Sequence, residues 1–121
     1  MSDGDVQFDS IETAINAIKS GEMVVVVDDD DRENEGDLIM AASKATPEAV
    51  AFMIRHTSGI LCAPLKEDHA HALHLDPMVA RNDAPMSTAF TVSIDYKHGL
   101  TTGISAEERA TTVQALANSN I

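Results

Sequence analysis

Aromatic residues make up only 3% of this 121-residue sequence, and tryptophan is absent altogether. A core built from it must therefore be aliphatic, with the six methionines filling its gaps. Cysteine occurs once, at Cys62, which excludes an internal disulfide framework. Basic residues are scarce: eight Lys and Arg stand against twenty Asp and Glu, giving a formal net charge of −12. That balance cannot build a phosphate-tracking face, so nucleic acid and acidic membranes are not expected partners, whereas small cations are. No apolar run reaches membrane-spanning length, and no basic start followed by an apolar stretch opens the chain; the expected address is cytoplasmic. Hydrophobic content of 44% is still enough for a folded domain.

What the sequence has in abundance is acid at one place. The ten residues 28–37, Asp-Asp-Asp-Asp-Arg-Glu-Asn-Glu-Gly-Asp, set seven carboxylates around Arg32, directly after the apolar run 23–27. A valine-rich run of this length reads as a buried strand, so the acidic cluster is expected at the strand's C-terminal end, where open α/β sheets place ligands. Apolar sequence resumes at residues 38–42 and holds both ends of the segment in a core. Carboxylates this dense repel one another unless a cation or an electron-poor substrate compensates them, and crowding pushes their pKa values upward. The competing interpretation is a solvated acidic turn.

Around this segment the pattern alternates between helix and strand. Ile11, Ala14, Ile15 and Ile18 recur at helical spacing behind an Asp9/Glu12 capping box, and Gly21 ends that helix. Residues 1–8 are polar and expected to be loose. Thr46, Pro47 and Glu48 supply an N-cap, a first-turn proline and a dipole-matching acid for a helix through His56, stopped by Ser58 and Gly59. Residues 60–64 read as a short apolar strand and 66–75 as a helix. Phe90, Val92 and Ile94 alternate with polar residues as a half-buried strand. Ser105 with Glu108 opens a last helix to about Asn118. Interleaved strands and helices predict an α/β (α+β) fold, helices layered on a mixed sheet.

The order of residues carries more than the composition. Arg32-Glu33-Asn34-Glu35-Gly36-Asp37 resembles the fingerprint of the 3,4-dihydroxy-2-butanone 4-phosphate synthases of riboflavin biosynthesis. Arg55-His56-Thr57-Ser58-Gly59-Ile60 resembles that family's helix-to-strand turn, and Thr88-Ala89-Phe90-Thr91-Val92-Ser93-Ile94-Asp95 its central strand. Thr101-Thr102-Gly103-Ile104-Ser105-Ala106, with Arg109 and Thr111, resembles its next helix entry. The family's domain is nearly twice this long. Its second half carries a Gly-His-Thr-Glu block with a metal-binding histidine, a second important histidine and a late catalytic glutamate, none of which is present here. The resemblance therefore implies that residues 1–121 are the N-terminal part of one such domain, the remainder being absent.

The implied function is a magnesium-dependent lyase, with manganese as the alternative ion, that converts D-ribulose 5-phosphate to L-3,4-dihydroxy-2-butanone 4-phosphate and formate. It also implies a homodimer with sites between subunits. Glu33 is the metal ligand it assigns, and magnesium typically takes only one or two protein carboxylates. Arg32 would meet substrate oxygens through its fork of donors, or else form an ion pair with Asp28 or Glu35 inside the loop. Glu33 and Asp37 join it as substrate-binding residues, Asp37 from the rigid start of a strand. Asp28 and Glu35 are the candidates for catalytic proton transfer. Gly36 suits a sharp turn or a close approach to ligand. Cys62 is expected in the apolar strand, in a minor packing or substrate-edge role. His69, His71 and His74 form the only histidine cluster, expected to be surface rather than ligand. Thr101, Thr102 and Ser105 lie where a helix N-terminus could receive a phosphate, with capping the stronger explanation for Ser105. Two other functions fit the same residues: the front of a bifunctional protein with a later GTP cyclohydrolase domain, and a non-catalytic acidic cation-binding module.

Overall fold

The computed structural model describes residues 7–118. Most of the loose N-terminal segment expected from sequence, and residues 119–121, lie outside the described residues. Helix α1 spans Ile11–Lys19. Its N-cap is Ser10, whose Oγ accepts from the Thr13 N–H at 3.1 Å, so the Asp9 capping box is corrected by one residue. The C-terminus closes as expected: Gly21 takes φ +82°, its N–H donates to the Ile18 carbonyl, and the Glu22 N–H reaches back to Ala17 at 2.9 Å. Glycine adopts this left-handed conformation without steric penalty, and the paired bonds satisfy carbonyls the helix leaves open.

Strands β1 (Val24–Val27) and β2 (Gly36–Ile39) form an antiparallel hairpin with Val24 opposite Ile39 and Val27 opposite Gly36. β2 starts and stops earlier than the apolar run 38–42 suggested, and Ala42–Lys44 winds into a 3-10 turn instead. The expectation that β1 is buried is overturned: Val25 is 66% exposed, and Val26 and Val27 are open as well. Helix α1 lies against the ribbon, on the face of Val24, Val26 and Ile39, where an open apolar groove separates them. A two-stranded ribbon with one covering element cannot bury both faces.

Helix α2 (Pro47–His56) is capped by Thr46, whose hydroxyl accepts from the Ala49 N–H at 3.1 Å, and it ends before Gly59 at φ +83°, as the sequence predicts. Helix α3 covers Glu67–Ala72. Helix α4 covers Ala106–Leu116, with Ser105 accepting from the Glu108 N–H at 3.1 Å. Residues 60–64 and 90–95 are not strands among the described residues. The second segment makes only a bridge between Thr91 and Pro77, with Met78 donating to Phe90 and Val92 to Asp76, both at 2.9 Å. The half-buried strand expected from the alternation is not found: Phe90 (52%) and Val92 (44%) are exposed, and the segment lacks the continuous ladder partner that a strand needs.

The core lies between α2, α4 and the 3-10 turn. Val50 (1% exposed), Ala45 and Ala110 are its centre, packed by Met40, Ile54, Leu61, Ala106 and Val113. Polar ties fix the packing: Gln114 donates to the Ala45 carbonyl, and Arg109 Nη1 donates to the Gly59 carbonyl at 2.9 Å. Lys44 Nζ donates to the Lys19 carbonyl at 2.5 Å and so links the end of α1 to the same core. The α/β class expected from the interleaving stands, with a sheet that is two-stranded and antiparallel among the described residues.

Candidate active site

The acidic segment is the turn of the β1–β2 hairpin, which is its first correction: it joins two antiparallel, largely exposed strands rather than leaving the C-terminal end of a buried one. Its base is closed by Asp28 and Glu35. The Asp28 N–H donates to the Glu35 carbonyl at 3.3 Å, and Asp28 Oδ1 accepts from the Glu35 N–H at 2.9 Å. Within the loop the Arg32 N–H donates to the Asp29 carbonyl at 3.0 Å, which curls residues 29–32 into a turn. The left-handed position is Asn34, at φ +53°, a residue type that tolerates it. Gly36, the residue expected to make the sharp turn, is instead a strand residue whose missing Cβ leaves room for Val25, since a Cβ there would lie 3.3 Å from Val25 Cγ1.

Arg32 stands between two carboxylates, with Nε 3.6 Å from Glu33 Oε2 and 3.9 Å from Asp28 Oδ2. The ion pair expected with Asp28 is therefore present, and Glu33 takes the place expected for Glu35. Both pairs are solvent-exposed and long, so they orient the guanidinium more than they stabilise the fold. Glu35 uses only its backbone; its carboxylate has no hydrogen bond or ion pair among the described residues. Asp37 sits opposite Val26 in the ladder and so projects on the same face as Val24, Val26 and Ile39, the α1 side of the ribbon.

The upward pKa shift expected from crowding is not found at Asp28. Desolvation pushes its carboxyl up, but the Glu35 N–H, a side-chain hydrogen bond with Glu33, its own N–H and the Arg32 charge together outweigh this, and it lies below the usual carboxylate range. Asp28 is thus held as the anion that receives hydrogen bonds.

No group of three His, Cys, Asp or Glu side chains among the described residues is arranged to hold a metal ion. Glu33 nevertheless fits a magnesium site of the kind that takes few protein donors: its carboxylate is a hard oxygen donor and partly exposed, with Arg32 beside it. The histidine cluster behaves as surface. His71 pairs with Glu67 at 3.9 Å along α3, and His74 leaves the helix at φ +56°. Cys62 is exposed and outside any strand, which corrects its placement in a buried apolar one.

The turn before α4 is also built differently from its reading as a phosphate cradle. Glu108 Oε1 accepts from the Thr101 N–H at 3.0 Å and from its hydroxyl at 2.6 Å, while Oε2 accepts from the Gly103 N–H at 2.5 Å. Those donors are already occupied by an internal carboxylate. Glu108 had been legible only as a capping-box partner. Its side chain reaches past the helix start to residues 101–103, a connection set by the loop's path.

An α/β protein that carries an arginine-bearing acidic segment on the turn of a hairpin is thereby defined. The chain belongs to the 3,4-dihydroxy-2-butanone 4-phosphate synthase family, whose sequence profile matches residues 12–121. It is 51% identical over 113 residues to the 3,4-dihydroxy-2-butanone 4-phosphate synthase of Candida albicans, covering 93% of this chain and 55% of the relative. It is 58% identical over 113 residues to a bifunctional riboflavin biosynthesis protein of Arabidopsis thaliana named as chloroplastic, covering 92% of this chain and 21% of that protein. A crystal structure of 3,4-dihydroxy-2-butanone 4-phosphate synthase in complex with two magnesium ions superposes with a TM-score of 0.90 at 52% identity, over 93% of this chain and 53% of that one. The chain thus spans between about a fifth and about half of the length of these relatives. No helix among the described residues is long and apolar enough to cross a membrane.

Proposed function

We propose that residues 1–121 are the N-terminal part of a 3,4-dihydroxy-2-butanone 4-phosphate synthase domain, and that the complete protein converts D-ribulose 5-phosphate to L-3,4-dihydroxy-2-butanone 4-phosphate and formate. The observation that carries this reading is the family's Arg32-Glu33-Asn34-Glu35-Gly36-Asp37 segment, held on a closed hairpin turn in a chain that superposes on a family member at a TM-score of 0.90. A covering second half is supported by surface. The chain exposes 9650 Å² for a mass of 12.9 kDa, whereas a folded monomer of that mass exposes about 6,300 Å². Ile11, Ile15, Val26 and Ile39 contribute to the excess and are the kind of surface a domain buries.

In this proposal Glu33 is the ligand for magnesium, with manganese as the alternative ion, and the bound ion supplies Lewis-acid stabilisation of negative charge on substrate oxygens. Arg32 meets the sugar phosphate's oxygens with two parallel N–H donors, a geometry its position beside Glu33 allows. Asp37, fixed in a strand, accepts from a substrate hydroxyl. Glu35 carries the proton-transfer role, because its carboxylate has no hydrogen bond or ion pair among the described residues, whereas that of Asp28 is engaged by the Glu35 N–H and faces Arg32. The protein acts as a cytoplasmic homodimer.

The long bifunctional relative favours one further possibility beside this site, that a second domain, which we propose to be a GTP cyclohydrolase, belongs to the native protein. Formate release from ribulose 5-phosphate tests the main reading. Residues 1–121 alone should give none with saturating magnesium, and adding the separately produced remainder of the domain should restore it. Turnover by residues 1–121 unaided would show that the missing half supplies nothing essential.

A further inference from the structure

The loop that presents Arg32, Glu33 and Glu35 is closed at its base by one backbone bond and one side chain, that of Asp28. We propose that Asp28 is a positioning residue for this site, shaping the loop through the acceptor capacity of its carboxylate rather than by moving a proton or binding metal. The proposal rests on the reading of the loop as the site.

Asp28 is the first residue beyond β1 and Glu35 the last before β2. Both backbone polar groups of Glu35 end on Asp28: the carbonyl on its N–H at 3.3 Å, and the N–H on its Oδ1 at 2.9 Å. The side-chain bond is the shorter of the two, and without it the Glu35 N–H loses its partner. The same carboxylate's Oδ2 lies 3.9 Å from Arg32 Nε, so one side chain sets the width of the loop's base and faces the guanidinium at its crest. Between these anchors the chain passes through the left-handed Asn34, a conformation that asparagine tolerates. Groups that orient a ligand-bearing side chain, without touching the ligand, typically affect metal affinity by about 10–100-fold.

Asparagine separates the two roles. Its amide oxygen accepts from the Glu35 N–H as a carboxylate does, yet it cannot take up a proton or bind a hard cation as an anion. In the complete protein, Asp28→Asn, Asp28→Ala and Glu33→Gln would be compared by hydrogen exchange of the Glu35 amide and by Mn²⁺ binding followed by electron paramagnetic resonance. In Asp28→Ala the Glu35 amide should exchange about tenfold faster or more, and Mn²⁺ affinity should fall by about tenfold. Asp28→Asn should leave both within about twofold of the parent. If Asn is as damaging as Ala, or if Ala changes neither quantity, the positioning role is wrong. The amide measurement decides this without any metal. Unchanged Mn²⁺ binding in Glu33→Gln would instead overturn the assignment of the loop as the site, a failure that is read separately from the Asp28 variants.

Discussion

The helical knot of α2, α4 and the 3-10 turn and the β1–β2 hairpin are opposite in construction. The knot buries Val50, Ala45, Met53 and Ala110 and is cross-tied by Gln114 and Arg109 to backbone carbonyls far away in sequence. The hairpin buries nothing completely, and its turn is held by one carboxylate and a few backbone bonds. Stability therefore resides in the first region and the proposed chemistry in the second. Binding groups on an exposed loop stay accessible because the elements that fold the chain do not use them. If that division is right, damage to one region should leave the property carried by the other nearly untouched.

The largest effect expected is on activity. In the complete enzyme Glu33→Gln should lower formate production from ribulose 5-phosphate by about a hundredfold or more, with the thermal midpoint unchanged. A variant that unfolds, or that turns over normally in magnesium, breaks the comparison. Val50→Ala is its converse: about 2 kcal/mol of stability should be lost in urea titration, through a cavity at the centre of the knot, with Mn²⁺ affinity of the folded chain preserved. Arg32→Lys replaces a planar fork by a point charge and should reduce kcat/KM about tenfold, mostly through KM. Normal kinetics would leave Arg32 only the task of balancing Asp28 and Glu33.

Two smaller effects sharpen the stability side. Thr46→Ala removes the hydroxyl that caps α2 and should cost about 1 kcal/mol, read as a lower urea midpoint. The last concerns pH. Glu108 is held below its ordinary value of 4.5 by hydrogen bonds, first from the Thr101 hydroxyl and N–H and then, against desolvation, from the Gly103 N–H. A carboxyl depressed in the folded state contributes its stability above the unfolded value and loses it as pH falls through the folded one. The stability of the parent should therefore decline below about pH 4.5 more steeply than that of Glu108→Gln. Parallel acid limbs in the two proteins would show that the clasp on residues 101–103 contributes nothing.

Helix boundaries were legible because their causes are local. Thr46-Pro47-Glu48, Ser105 and Gly21 act within a turn of their own position, and the helices they delimit lie where the sequence places them. Asp9 misled by one residue because Ser10 offers an equally good capping oxygen nearer the helix. Strands were less legible. Residues 60–64 and 90–95 have the right composition, but a strand exists only when another segment supplies its ladder, and the described chain brings Thr91 no more than Pro77. The burial of β1 failed for the same reason, since a valine run states what it could bury and not whether anything covers it.

By itself, then, the sequence determined the helices, the α/β class, the family and the acidic segment as the place of interest. These follow from composition, short-range capping and the order of a few residues. Tertiary structure alone decided that the segment is the turn of an antiparallel hairpin, that Asp28 grips Glu35 across the loop's base, that Arg32 pairs with Glu33, and that Glu108 fills the donors of residues 101–103. Each of these depends on the path of the backbone between residues that are distant in the chain or equivalent in composition. In a segment with seven nearly interchangeable carboxylates, only that path distinguishes the one that holds the loop from those that it presents.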